Sequence, residues 1–160
     1  MRRASVVDEL YRKTAELLQS LGVDRETVAL DPRRIVSSAL YIVMKFSNDP
    51  PPGYLIKFHG CVPIASRDVI DDIMEQMGSV QRERSEDIEK VANIVRKASL
   101  LLGMDIIRAL EVVSCMIALC SEFYPPFTKP YSELARREAG VGIDALRRVY
   151  EVLKSAGLCS

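Results

Sequence analysis

Four cysteines, one histidine and a cluster of carboxylates are the side chains with chemistry to offer. The cysteines stand at 61, 115, 120 and 159, without the two close pairs that a structural zinc site needs. Cys115 and Cys120 lie too far around a single helix turn to chelate together. They are therefore expected as buried thiols in a reducing compartment, ahead of disulfide or metal use. His59 precedes Cys61 by two positions, but a nucleophile-base pair also needs a third group to orient it, and Tyr54 and Lys57 do not supply one. A packed or surface-loop histidine is the expectation. Asp71 and Glu75 share a helical face beside Asp72, yet a cation site needs opposing ligands in an enclosure. These carboxylates read as a wet surface. No P-loop, dinucleotide-binding glycine motif or zinc-protease pair occurs. The expectation is a non-enzyme with no cofactor and no metal ion.

Arginine offers a different chemistry. The stretch GVGIDALRRVY, residues 140–150, sets Arg147 beside Arg148, and from Lys129 through Lys154 six basic residues face four acidic ones. Arg136, Arg147, Arg148 and Lys154 are the candidate DNA-binding residues, since guanidinium and ammonium groups meet phosphate and base edges. Open backbone N–H groups near Gly142 to Asp144 could join them at a phosphate, although the Asp144 carboxylate is itself a natural partner for those groups. The competing reading is local ion pairing on an exposed helix, with Glu151 four residues beyond Arg147. From Arg67 to Lys90 the balance reverses, with four basic residues against eight acidic ones. That region would repel phosphate, and it is either a solvated face or a docking face for a basic protein.

These residues need elements to hold them. Residues 5–21 carry Val6, Leu10, Leu17 and Leu21 at helical spacing, with Gly22 to stop the helix. Asp31 and Pro32 form a start signal for a second helix, RRIVSSALYIVMKF. It loses its polar face after Ser38, and Ser37 and Ser38 are expected to return their hydroxyls to the preceding turn. Residues 104–123 are likewise apolar around most of their circumference. Such helices belong in the middle of a bundle, giving either two local cores or one core with two central staves. Between them, Pro50, Pro51, Pro52, Gly53 and Gly60 break helical pattern. Tyr54, Leu55, Ile56 and Phe58 read as a short strand or packed loop. Residues 66–77 form a helix with Val69, Ile70, Ile73 and Met77 inward, and another helix occupies about 86–102. After the turn-rich stretch 124–130, Ser132 is expected to cap a short helix running to Gly140, with Leu134, Ala135 and Ala139 inward. A helix from about 143 to 155 follows, its inward stripe being Leu146, Val149, Tyr150 and Leu153. Two helices so closely joined form a helix-turn-helix at 132–155.

Length and composition bound the rest. The 160 residues are 48% hydrophobic and carry 22 basic against 22 acidic side chains, enough for a core but without the positive excess of a protein that coats nucleic acid. Asp8 and Glu9 interrupt any signal-peptide core, and no apolar stretch reaches membrane-spanning length. The expectation is a cytoplasmic protein without a membrane partner.

GVGIDALRRVYEVL resembles the last helix of the cyclin-like repeats in the archaeal and eukaryotic general transcription factor B family. Gly140, Val141, Leu146, Arg147 and Tyr150 carry that likeness. SELARREAG resembles the family's preceding short helix through Leu134 and Ala135, although Ala135 stands five residues before Gly140, one more than the family's spacing. DPRRIVSSALYIVMKF resembles its central helix through Pro32, Arg33, Ile35, Ala39, Leu40 and Tyr41. The likeness covers residues 31–46 and 84–156 in pieces, and no paired-cysteine zinc ribbon accompanies it. It implies an all-α cyclin-like helical bundle with a C-terminal helix-turn-helix. Residues 1–80 would form an N-terminal module, which a truncated cyclin-like repeat would fit, and 84–160 a cyclin-like module. The implied function is DNA-associated transcription regulation by noncovalent binding, with double-stranded DNA and a TATA-binding or other transcription protein as partners. The resemblance implies a matching basic position at Arg147, with Leu146 and Tyr150 in the core. The alternative is a helical protein-interaction adaptor that binds no DNA.

Overall fold

Three helix starts are fixed by short polar side chains that accept the first free backbone N–H groups. Asp24 accepts the Thr27 N–H at 2.7 Å, Ser66 that of Val69 at 3.4 Å and Asp105 that of Arg108 at 2.8 Å. The computed structural model describes residues 2–47, 55–78, 85–138 and 140–159, with side chains from Val7 onward. Within them the helices are α1 (Arg2–Ser20), α2 (Arg25–Leu30), α3 (Pro32–Ser47), α4 (Arg67–Met77), α5 (Glu86–Leu102), α6 (Ile106–Ser121), α7 (Pro130–Arg137) and α8 (Ile143–Ser155). A hairpin of β1 (Ile56–His59) and β2 (Val62–Ala65) lies between α3 and α4. The architecture is all-α, a multi-helix bundle with one small hairpin.

The two apolar helices are the centre of the bundle. α3 packs on α6, α1 covers α3 together with α4 and α5, and α8 lies on α5 and α7. From Ile35 to Val43 every residue of α3 is buried, as is every residue of α6 from Val112 to Cys120. Burying a helix on all sides is what an uninterrupted apolar circumference requires. One cluster of buried side chains runs from Leu10 through Tyr41 and Met116 to Cys159, so the two staves share a single core. The expected inward residues Leu10, Leu17 and Leu21 of the first helix, and Val69, Ile70, Ile73 and Met77 of α4, are all buried.

The hairpin answers the question left by Ile56 and Phe58. Ile56 pairs with Ala65 and His59 with Val62 in an antiparallel register. Gly60 turns the chain at φ +63°, a conformation that L side chains rarely adopt. Phe58 sets its ring edge-on to Tyr41 of α3, with centroids 5.1 Å apart. Ser37, expected to turn its hydroxyl back to the preceding turn, uses its Oγ to accept the Ala65 N–H at 2.9 Å and so satisfies a buried amide of β2. Of the two expected placements, packed or on a surface loop, His59 takes neither as stated: it is exposed, but as the last residue of strand β1.

Other expectations change. The four cysteines are not free thiols: Cys61 is bonded to Cys115 and Cys120 to Cys159. Each of the neighbouring α6 cysteines finds a partner from a segment distant in sequence, which spacing along α6 cannot reveal. The argument from free thiols to a reducing compartment therefore falls away. α2 was not anticipated, since six residues are too few to show a period. Ser132 lies inside α7 and does not cap it; the helix starts at Pro130, whose missing N–H costs nothing there, and no side chain caps its start. The expected positions of Val6, of Pro50 to Tyr54, of Arg82, Glu83 and Arg84, and of Ala139 lie outside the described side chains, as does the junction between the expected modules 1–80 and 84–160. No described helix is long and apolar enough to cross a membrane.

Candidate nucleic-acid interface

α8 is held by its own sequence pattern. Leu146, Val149 and Leu153 are fully buried and Tyr150 nearly so. Three-and-four spacing puts all four on one side, against α5 and α7. Tyr131 of α7 meets the Tyr150 ring at 5.3 Å between centroids, and Leu134 is buried beside α6 and α8. Between the helices Gly140 takes φ +83°, a conformation that glycine adopts without strain. The rigid pair thus leaves one face of α8 outward.

That outward face carries Asp144, Arg147, Arg148, Glu151 and Lys154, all exposed. Arg147 is paired with Asp144 at 3.6 Å, so its local partner is the acid one turn before it and not Glu151. Arg148 has no carboxylate partner among the described ion pairs. Lys154 holds its ammonium 6.0 Å from the Tyr150 ring centroid, the outer limit of a cation–π contact. Arg136 stands apart on α7, where Glu133 holds it at 3.2 Å while also pairing with Arg137 at 3.0 Å. The structure thus groups Arg147, Arg148 and Lys154 on one helix and ties Arg136 to an acid of its own helix.

The start of α8 adds a second property. Gly142 is the N-cap, at φ −72° and ψ 139°, and no side chain caps the helix. The Asp144 carboxylate reaches Arg147, leaving the first-turn N–H groups without a side-chain acceptor. Such a terminus concentrates partial positive charge where an anion can approach. Exposed pairs such as Arg147–Asp144 are worth little in water, about 0–1 kcal/mol. A phosphate can exchange with Asp144 at small cost.

A further constellation escaped the sequence. The Cys61–Cys115 bond lines a cleft of about 220 Å³ with Arg34, Glu111, Arg137 and Glu138 around it. Arg34 pairs with Glu111, whose carboxylate holds the guanidinium still more firmly protonated than usual. Glu138 is taken by Arg108 at 3.0 Å. Arg137 places Nη1 3.8 Å from Cys61 Sγ. These residues come from α3, the hairpin, α6 and α7, too far apart in the chain for any local motif to announce them. Asp71, Asp72 and Glu75, read from the sequence as a wet surface, are exposed, and no group of three or more potential ligands is assembled among the described residues.

Comparison with protein-family models, with curated proteins and with solved structures finds no match to this chain.

Proposed function

We propose that the protein is a DNA-associated transcription regulator that binds the duplex noncovalently through α7 and α8, arranged as a helix-turn-helix. The observation that carries the reading is the outward face of α8. Its cations Arg147, Arg148 and Lys154 are exposed, the apolar stripe is fully spent on the core, and the helix start is uncapped. Arg148 and Lys154 would contact the backbone or base edges, and Arg147 would exchange Asp144 for phosphate. Arg136, already held by Glu133, is a flanking contact at most. The likeness of α3, α7 and α8 to the cyclin-like repeats of the general transcription factor B family supports the same reading and adds a TATA-binding protein as a candidate partner.

The test replaces Arg147 and Arg148 together by Ala and measures duplex binding across a salt series beside far-ultraviolet circular dichroism. Loss of two phosphate contacts should weaken binding and make the log–log salt slope shallower by about 2, with helicity unchanged. If the unaltered chain binds no duplex at low salt, alone or with a TATA-binding protein, the reading is wrong.

A second reading, a helical adaptor, draws on the acidic face of α4. Asp72 and Glu75 meet Asp8 and Tyr11 of α1 around a groove of about 310 Å³. Such a groove suits a basic protein segment. Charge reversal at Asp71 and Asp72 should abolish a complex made there, and unchanged affinity for the identified partner would reject this interface.

A further inference from the structure

The two disulfides of this chain sit in opposite electrostatic surroundings. Around Cys120–Cys159 the nearest polar atoms are backbone carbonyl oxygens. Cys120 Sγ lies 3.2 Å from the Ile117 oxygen and 3.6 Å from that of Leu158, and Cys159 Sγ lies 3.9 Å from that of Met116. Disulfide sulfurs carry no proton, so these are contacts of sulfur with partial negative charge. They would oppose a thiolate formed at either position. At Cys61–Cys115 the Arg137 guanidinium lies 3.8 Å from Cys61 Sγ, and the carboxylates that share the cleft, Glu111 and Glu138, are paired with Arg34 and Arg108. A neighbouring cation lowers a thiol's pKa and makes that sulfur a better leaving group. All four cysteines are buried to a similar degree, but only Cys61 and Cys115 line the open cleft, and attack at Cys115 leaves the negative charge on Cys61 beside Arg137.

We propose that Cys61–Cys115 is a thiol-exchange site that takes a small-molecule thiol, while Cys120–Cys159 is a closed structural bond. The incoming thiolate attacks Cys115 Sγ, the S–S bond breaks, and Cys61 leaves as a thiolate beside Arg137. Cys115 is then held in a mixed disulfide. A second thiol attacks the small-molecule sulfur of that adduct and releases Cys115. Both cysteines take a proton from solvent, so two thiols are oxidised to one small disulfide as the protein bond is reduced by two electrons.

Opening the bond severs the covalent tie between the hairpin turn and α6. The hairpin stays on α3 through the Ser37–Ala65 hydrogen bond and the Phe58–Tyr41 contact. The change is therefore confined to the floor of the cleft beneath Arg137 of α7, and the site does not depend on DNA binding.

The full chain is treated with limiting glutathione in native buffer, quenched in acid, alkylated and mapped by peptide mass at successive times. Cys61–Cys115 should open at least about tenfold faster than Cys120–Cys159, with the glutathione adduct on Cys115. Arg137→Gln should slow that opening by about threefold to tenfold, whereas Arg137→Lys should retain most of the rate. Equal opening of both bonds, earlier opening of Cys120–Cys159, an adduct on Cys61, or an unchanged rate in Arg137→Gln would each overturn the assignment. Should Arg137→Gln fail to fold, the order of opening and the adduct position in the unaltered chain decide it.

Discussion

Tyr41 stands where α3, the hairpin and the end of α6 meet. Its hydroxyl makes that junction sensitive to alkali. It donates to Glu122 at 3.1 Å and lies 3.2 Å from Ser121 Oγ. Burial pushes its phenol well above the ordinary tyrosine range; the hydrogen bond to Ser121 works the other way, and Glu122 adds to the rise. The folded state therefore keeps a proton that the unfolded chain releases near pH 10, and unfolding becomes easier as pH climbs past that value. Stability from this source is fully present below pH about 10 and falls by about 1.4 kcal/mol per pH unit above it. Tyr41→Phe should cost about 0.5–1.5 kcal/mol at neutral pH, because its polar neighbours remain open to water. It should also remove one proton's worth of the alkaline slope. Urea unfolding at stepped pH measures both, and identical slopes in the two proteins would show that Tyr41 is not the group responsible.

At the scale of elements, α8 was the most legible part of the chain because its period says everything. Leu146, Val149, Tyr150 and Leu153 repeat at three and four, and each is buried where that spacing puts it. α7 was less legible. Its start depends on Pro130, while a plausible capping serine two residues later drew the boundary inward. The candidate DNA contacts were named from the sequence, but their ion pairs were not. Asp144 and Glu151 are both within reach of Arg147 by spacing, and side-chain rotamers chose Asp144. The uncapped start of α8 yields a prediction of its own. Gly142 has a backbone any residue can adopt, and a Cβ there would meet nothing within 4 Å. Gly142→Ser should raise stability by about 0.5–1 kcal/mol, by capping the helix and restricting the unfolded chain. Gly142→Asp should stabilise similarly but weaken duplex binding more than the serine variant, since it sets a carboxylate where the phosphate is proposed to lie. Equal duplex affinity in both variants would exclude this helix start from the interface.

For the molecule as a whole, hydrophobic pattern sufficed to name α3 and α6 as staves but not to say whether they share a core. That depends on contacts such as α1 with α5 and α3 with α6, between residues whose separation in sequence leaves no periodic trace. The disulfides were illegible for the same reason: Cys61–Cys115 spans 54 residues and Cys120–Cys159 spans 39. Their placement nevertheless makes a joint prediction about cooperativity. Cys120–Cys159 fastens the segment after α8 to the central stave, whereas Cys61–Cys115 fastens the hairpin to the same helix. Closing loops of these lengths restricts the unfolded chain by similar amounts, because loop entropy grows only with the logarithm of length. Replacing both members of either pair by Ser should therefore lower stability by about 2–4 kcal/mol, with the two variants close to each other. If the buried cluster from Leu10 to Cys159 is one core, each variant should still unfold in one transition, coincident by circular dichroism and tyrosine fluorescence. A separate early transition in the Cys120 and Cys159 variant would mean that α8 and the chain end form their own unit, held to α6 by the sulfur bond and not by packing.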